Sequence, residues 1–142
     1  MEPGIIERIA VVWLGGQPLY SPSVKEINLG QDLYASQLVI DCGVPLILLP
    51  CRGVTSHLLT TLSELEAHIG GKNEIGDYLV EMFKGSHSDH FAYAKEIWDI
   101  SAIAYLINSG CMETEIVHVP ILTDQVTWSF DNRRHFMRIA TF

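Results

Sequence analysis

Two positions in a polar loop, Glu26 and Asn28, place a carboxylate and an amide two residues apart. On an extended segment this spacing points both side chains the same way. Two further carboxylates, Asp32 and Asp99, stand at the heads of predicted helices. Carboxylates and amides that converge at one edge of a sheet are typical of a ligand-binding site, so these four residues are the candidate functional residues.

Each of these residues also has a structural interpretation. Asp32 and Asp99 occupy positions where an N-cap or first-turn acid stabilises a helix by about 0.5–2 kcal/mol. Glu26 and Asn28 could be solvated loop residues. The sequence leaves both interpretations open.

Other reactive side chains give weaker hypotheses. His87-Ser-Asp-His90 offers three potential metal ligands, but a metal site needs further ligands on a rigid frame, and this polar loop offers none. Cys51 and His57 follow a predicted strand and suggest a thiol or histidine hydrolase, although no activating His-Asp arrangement is evident and His57 could equally be structural. Gly15-Gly16 is not followed by the rest of a dinucleotide fingerprint.

A strand-helix-strand unit must position the first candidates. Residues 8–16 predict a strand that is apolar on both faces and ends at Gly15-Gly16, residues 30–42 predict a helix, and residues 44–50 predict a second buried strand. A right-handed crossover would bring the loops after Leu14 and Leu49 to the same carboxyl edge, where ligands bind in such sheets.

The rest of the chain alternates helices and strands. We expect a helix that starts near Ser63 within 54–69 and stops at Gly70-Gly71, a helix over 74–84 and a mobile loop over 84–92. A buried central helix over 98–107 and strands over 115–122, 126–130 and 135–142 should follow. The predicted fold is α/β: a mostly parallel open sheet with flanking helices and a β-rich C-terminal tail, as one domain over 1–142.

Composition excludes several classes of protein. The 142 residues are 48% hydrophobic, and 9 Lys+Arg against 17 Asp+Glu give a net charge of -8, which disfavours nucleic-acid binding. Apolar runs are far shorter than the ~20 residues needed to cross a bilayer, so we expect no membrane association. The three cysteines, Cys42, Cys51 and Cys111, are an odd number without a paired spacing, which favours a reducing, cytoplasmic location. The chain opens close to a core strand and closes inside another, which predicts a fragment of a larger domain.

Five segments in order carry a family resemblance. They are Val-Val-Trp-Leu-Gly-Gly (11–16), Lys-Glu-Ile-Asn-Leu-Gly-Gln-Asp (25–32), Gly-Val-Pro-Leu (43–46), Val-Thr (54–55) and Trp-Asp-Ile-Ser-Ala-Ile-Ala-Tyr-Leu (98–106). Through most of its length the chain resembles the C-terminal half of the inosine-uridine-preferring nucleoside hydrolases.

This resemblance implies a calcium-dependent N-ribohydrolase, in which the ion holds the attacking water and two ribose hydroxyls. Glu26 and Asn28 match the Glu-x-Asn that grips the ribose, Trp98 falls among the substrate-binding residues, and Asp99 matches an aspartate that ligates calcium. The implied partner is a nucleoside or a ribose-like small molecule.

The departures from the family pattern bear on activity. The family's Asp-x-Asp-x-x-x-Asp-Asp run, which supplies the general base and most calcium ligands, is absent, so no catalytic residue is assigned and the chain is expected to be inactive alone. Trp98 replaces a histidine and Tyr20 an asparagine. The alternative is a non-catalytic interaction or scaffold module. In either case an exposed apolar sheet edge predicts a homo-oligomer.

Overall fold

The computed structural model describes residues 3–141. The chain divides into two compact units, one built from the segments up to Ser56 and from Trp98 onward, the other from His57–Ile97. The organisation as a single domain stays a prediction. Among the described helices, none combines the length and the apolar character needed to span a membrane.

The elements are short and alternate along the chain. The strands are β1 (Val11–Leu14), β2 (Leu46–Leu49), β3 (Leu59–Thr61), β4 (Ala94–Glu96), β5 (Thr114–His118), β6 (Ile121–Leu122), β7 (Trp128–Ser129) and β8 (Phe136–Ala140). The α-helices are α1 (Ile27–Gly30), α2 (Leu33–Asp41), α3 (Leu62–His68), α4 (Glu74–Ser86) and α5 (Ile100–Ile107). Single 3-10 turns cover Pro3–Glu7, Thr55–His57 and Ser109–Cys111.

The first unit contains a four-stranded open sheet in the order β1-β2-β8-β5. β1 pairs parallel with β2, with Val11 opposite Leu46, and β2 pairs parallel with β8. Only the pairing of β5 with β8 in this sheet is antiparallel. The mixed α/β fold with a mostly parallel open sheet is therefore confirmed, and so is the β1-α2-β2 unit that brings the ends of β1 and β2 to one edge.

Both faces of this sheet are covered, which explains the uninterrupted apolar run of β2. Leu46 and Leu48 belong to a core cluster on the face packed by α2. Leu49, one residue out of phase, belongs to a cluster on the other face, where Trp98 and Ala102 at the α5 end pack against it. Because successive side chains of a strand point to opposite faces, only a strand buried on both sides is apolar at every position.

The C-terminal segment is rich in strands, as predicted, and it supplies an interior strand of the main sheet. β8 lies between β2 and β5, while β6 and β7 form a separate antiparallel pair. The prediction of one strand over 115–122 is wrong, because the chain leaves the ladder at Val119 and Pro120, both fully buried. Pro120 lies between β5 and β6 and has no N–H to donate to a ladder.

The prediction that α5 is buried in the middle of the domain is also wrong. Ser101 is its one buried residue in the described chain, whereas Trp98, Ala102 and Tyr105 pack against the sheet. The opposite face is open to solvent; its exposed side chains are Ile100 (53%), Ile103 (53%), Leu106 (66%) and Ile107 (81%). An all-apolar helix therefore indicates burial on one side without showing whether the other side is covered.

The second unit pairs β3 with β4 in antiparallel fashion and contains α3 and α4. The helix predicted to start near Ser63 is confirmed as α3, and a 3-10 turn and β3 precede it. α3 begins at Leu62, one residue before Ser63, because Thr61 and Glu64 form a reciprocal capping box. α4 agrees with the helix predicted over 74–84 and continues to Ser86, and β4 had no sequence prediction.

Candidate functional site

The candidate site begins where β1 ends at Gly15-Gly16. Gly16 has a φ of +68°, and a Cβ on it would lie 3.0 Å from a methyl carbon of Leu29. A side chain there would be strained and crowded. The chain can therefore turn sharply at the end of β1 and bring the following loop back over the sheet edge.

Glu26 is fixed to the backbone of this turn. Its carboxylate accepts hydrogen bonds from the N–H groups of Gly16 (3.2 Å), Asn28 (2.9 Å) and Leu29 (3.1 Å). Glu26 is thus the N-cap of α1, a one-turn helix that the sequence did not predict. It is neither a solvated loop residue nor a freely rotating carboxylate.

Asn28 connects the end of β1 to the start of α5. Its Nδ2 atom donates to the carbonyl of Leu14 (3.2 Å) and to Oδ1 of Asp99 (3.0 Å). Asp99 lies 71 residues away in the sequence. The structure therefore brings these two predicted site residues into direct contact at the carboxyl edge of the sheet.

The two aspartates at predicted helix starts have different roles. Asp32 is an N-cap, since its carboxylate accepts from the N–H of Ala35 at 2.9 Å. Asp99 occupies the N-cap position of α5 but makes no side-chain capping bond. Its carboxylate is directed to Asn28 instead, so the structural interpretation holds for Asp32 alone.

Glu26, Asn28 and Asp99 line a cleft of about 410 Å³, within the usual range for small-molecule sites of roughly 300–1,000 Å³. The cleft joins Glu26, Asn28, Trp98 and Asp99 with side chains from the loop after β2, and Asp32 lies outside it. Its lining is Leu14, Gln17, Lys25, Glu26, Ile27, Asn28, Cys51, Arg52, Trp98 and Asp99. All of them belong to the first unit.

The sequence analysis missed Gln17, Lys25 and Arg52. Gln17 is only 7% exposed, and its amide bridges two loops: Nε2 donates to the carbonyl of Lys25 (3.4 Å), and Oε1 accepts from the N–H of Arg52 (3.1 Å). A polar residue directly after the glycine pair of a core strand was the only signal for it in the sequence.

The remaining residues considered in the sequence analysis lie mostly outside the cleft. The ring of His87 stacks on Tyr93 with centroids 4.4 Å apart, and His90 Nε2 bonds the carbonyl of Lys84. Tyr20 is 84% exposed. Cys51 lies in the cleft lining and His57 in the second unit, and the thiol hydrolase stays a prediction.

The cleft does not by itself fit a calcium ion. Calcium takes six to eight oxygen ligands. Both oxygens of Glu26 already accept backbone N–H groups, which leaves Asp99 as the carboxylate with an unused oxygen. Across residues 3–141, no group of three or more His, Cys, Asp or Glu side chains could hold a metal.

Comparison with known proteins gives a structural neighbour. No family model and no curated protein matches the sequence. Among solved structures, a plant nucleoside hydrolase, the PpNRh1 enzyme, superposes with a TM-score of 0.66 at 14% identity, over 94% of this chain and 46% of that one. The fold is similar to that of a nucleoside hydrolase. The chain spans less than half the length of that enzyme.

Proposed function

We propose that the cleft binds the ribosyl group of a nucleoside and that the chain is the sugar-binding part of an N-ribohydrolase of the inosine-uridine-preferring kind. The observation that carries this proposal is the 3.0 Å bond between Asn28 and Asp99 at the sheet edge. It joins two residues that the family resemblance assigns to one site. The fold similarity to a nucleoside hydrolase supports the same assignment.

The hydrogen bonds of Asn28 define what it can offer a ligand. An amide nitrogen has two hydrogens, and those of Asn28 go to Leu14 and Asp99. The amide oxygen and the second oxygen of Asp99 accept no hydrogen bond from the described residues. Both are acceptors, so they suit a ligand that donates, such as the vicinal hydroxyls of ribose.

Trp98 and Glu26 complete the proposed sugar site in different ways. Trp98 is half-buried against the core cluster of Leu14 and Leu49 and lines the cleft, so its indole would present an apolar wall to a sugar or base. Glu26 fixes α1 and thereby the direction of Asn28. In this proposal the chain binds and orients the sugar, and we assign no general base to it. Asp99 would offer calcium one carboxylate, and the other ligands would come from outside the described residues.

Ribose and nucleoside binding, measured by calorimetry with and without calcium, tests the proposal. We expect wild-type protein to bind ribose weakly, and Asn28→Ala and Asp99→Ala each to weaken binding about tenfold, the loss of one good hydrogen-bond partner. Asp32→Ala is the matched control, because it removes an aspartate outside the cleft. Equal binding by all variants would refute the sugar site. Robust calcium-dependent release of base by the isolated chain would refute its expected inactivity.

The exposed face of α5 favours the second candidate, a non-catalytic interaction module that forms a homo-oligomer. Four large apolar side chains lie open on one helix face. We expect light scattering to show a dimer or larger species, and Ile107→Lys to yield a monomer. Ile75, 73% exposed on α4, provides the matched control Ile75→Lys. A monodisperse wild-type monomer would contradict this candidate.

A further inference from the structure

Two cationic side chains, Lys25 and Arg52, line the same cleft as the proposed sugar site. Neither forms an ion pair with any described residue. By contrast, Lys84, Arg133 and Arg134 are each paired with carboxylates. The lining also holds the carboxylates of Glu26 and Asp99, so the cleft carries two cations and two carboxylates that are not ion-paired with one another.

The buried amide of Gln17 holds these two residues together. Its amide donates to the carbonyl of Lys25 and accepts from the N–H of Arg52, so this single side chain bridges the two backbone segments. The carbonyl of Gln17 in turn accepts from the indole N–H of Trp128 at 3.2 Å. The backbones of Lys25 and Arg52 are therefore tied to one framework, from which their exposed side chains extend.

The two carboxylates of the cleft, Glu26 and Asp99, form no ion pair with Lys25 or Arg52. Glu26 is bonded to three backbone N–H groups and Asp99 to Asn28. The cleft thus offers hydroxyl acceptors on Asn28 and Asp99 and anion-binding groups on Lys25 and Arg52. A ligand that fits both has a diol and an anionic group in one small molecule.

We propose that the cleft binds a phosphorylated ribosyl compound, with the sugar hydroxyls on Asn28 and Asp99 and the phosphate on Arg52 and Lys25. This inference rests on the proposed function and extends its ligand class from nucleosides to 5′-phosphorylated ribosides. The planar guanidinium of Arg52 matches the geometry of phosphate oxygens, and Lys25 adds a point charge.

Parallel titrations of the full chain with D-ribose, ribose 5-phosphate and inorganic phosphate test this inference. We expect ribose 5-phosphate to bind about tenfold more tightly than ribose at low salt, and this advantage to shrink as NaCl is raised. Arg52→Gln and Lys25→Gln should each reduce the advantage, and the double variant should abolish it. Arg8→Gln, an exposed arginine outside the cleft, should keep the wild-type ratio.

The other possible results of these titrations separate the phosphate site from the sugar site. Ribose binding without a phosphate advantage overturns this inference and leaves the proposed sugar site standing, whereas binding of neither sugar refutes both. Inorganic phosphate as tight as ribose 5-phosphate shows an anion site without sugar recognition and overturns the inference. An equal loss in Arg8→Gln shows a general charge effect and overturns it as well.

Discussion

Removal of the Glu26 carboxylate tests the framework of the site. The side chain satisfies three backbone donors, two of which, on Gly16 and Leu29, belong to buried residues. Loss of an N-cap costs about 1 kcal/mol. A buried donor left without an acceptor costs about 1–3 kcal/mol more. We therefore expect Glu26→Ala to lower the free energy of unfolding of the first unit by about 2–4 kcal/mol, and Glu26→Gln, which keeps one acceptor oxygen, to lower it less.

Tryptophan fluorescence in urea is the appropriate assay. The chain has three tryptophans, Trp13, Trp98 and Trp128, and all lie in the first unit, so the signal reports the unit that contains the cleft. The matched control is Asp32→Ala, which removes a cap with one backbone bond and should cost about 1 kcal/mol.

The loss of unfolding free energy in Glu26→Ala is compared with the loss in Asp32→Ala. If Glu26→Ala costs no more than Asp32→Ala, the carboxylate of Glu26 does not hold the turn after β1. The geometry of Asn28 would then have another origin, and the account of a preorganised cleft would be wrong.

Three further predictions concern the cleft and the second unit. Gln17→Leu removes both bridging bonds and should cost about 1–3 kcal/mol in urea unfolding and reduce the tenfold preference for ribose 5-phosphate; an unchanged preference would contradict its positioning role. Hydrogen bonds from the N–H and hydroxyl of Thr61 hold the pKa of Glu64 below its usual value, so this stabilisation is present at neutral pH and is lost as pH falls through the lowered pKa. Thr61→Val should raise that pKa in a carboxyl NMR titration while the backbone bond keeps it partly lowered. Calcium alone should leave the unfolding midpoint unchanged, because the described residues offer too few oxygen ligands; a clear rise would contradict that conclusion.

Local patterns were enough to predict the strand-helix-strand unit. The apolar runs of β1 and β2 and the periodicity of α2 are properties of adjacent residues, and the parallel pairing follows from the crossover between them. The start of α3 was predicted near Ser63, one residue from its observed position, although Ser63 and Thr61 are both good N-cap residues. Only the reciprocal bonds of Thr61 with Glu64 select one of them.

The sequence by itself determined the mixed α/β fold, the glycine turn at the end of β1, and the identity of Glu26, Asn28 and Asp99, which meet in the cleft. It could not determine which carboxylate caps a helix and which is directed into the cleft, because Asp32 and Asp99 have the same local context. The bond between Asn28 and Asp99 joins residues 71 positions apart. The bridge made by Gln17 and the open face of α5 likewise depend on how distant segments pack. These features are set by side-chain contacts between elements, which only the tertiary structure decides.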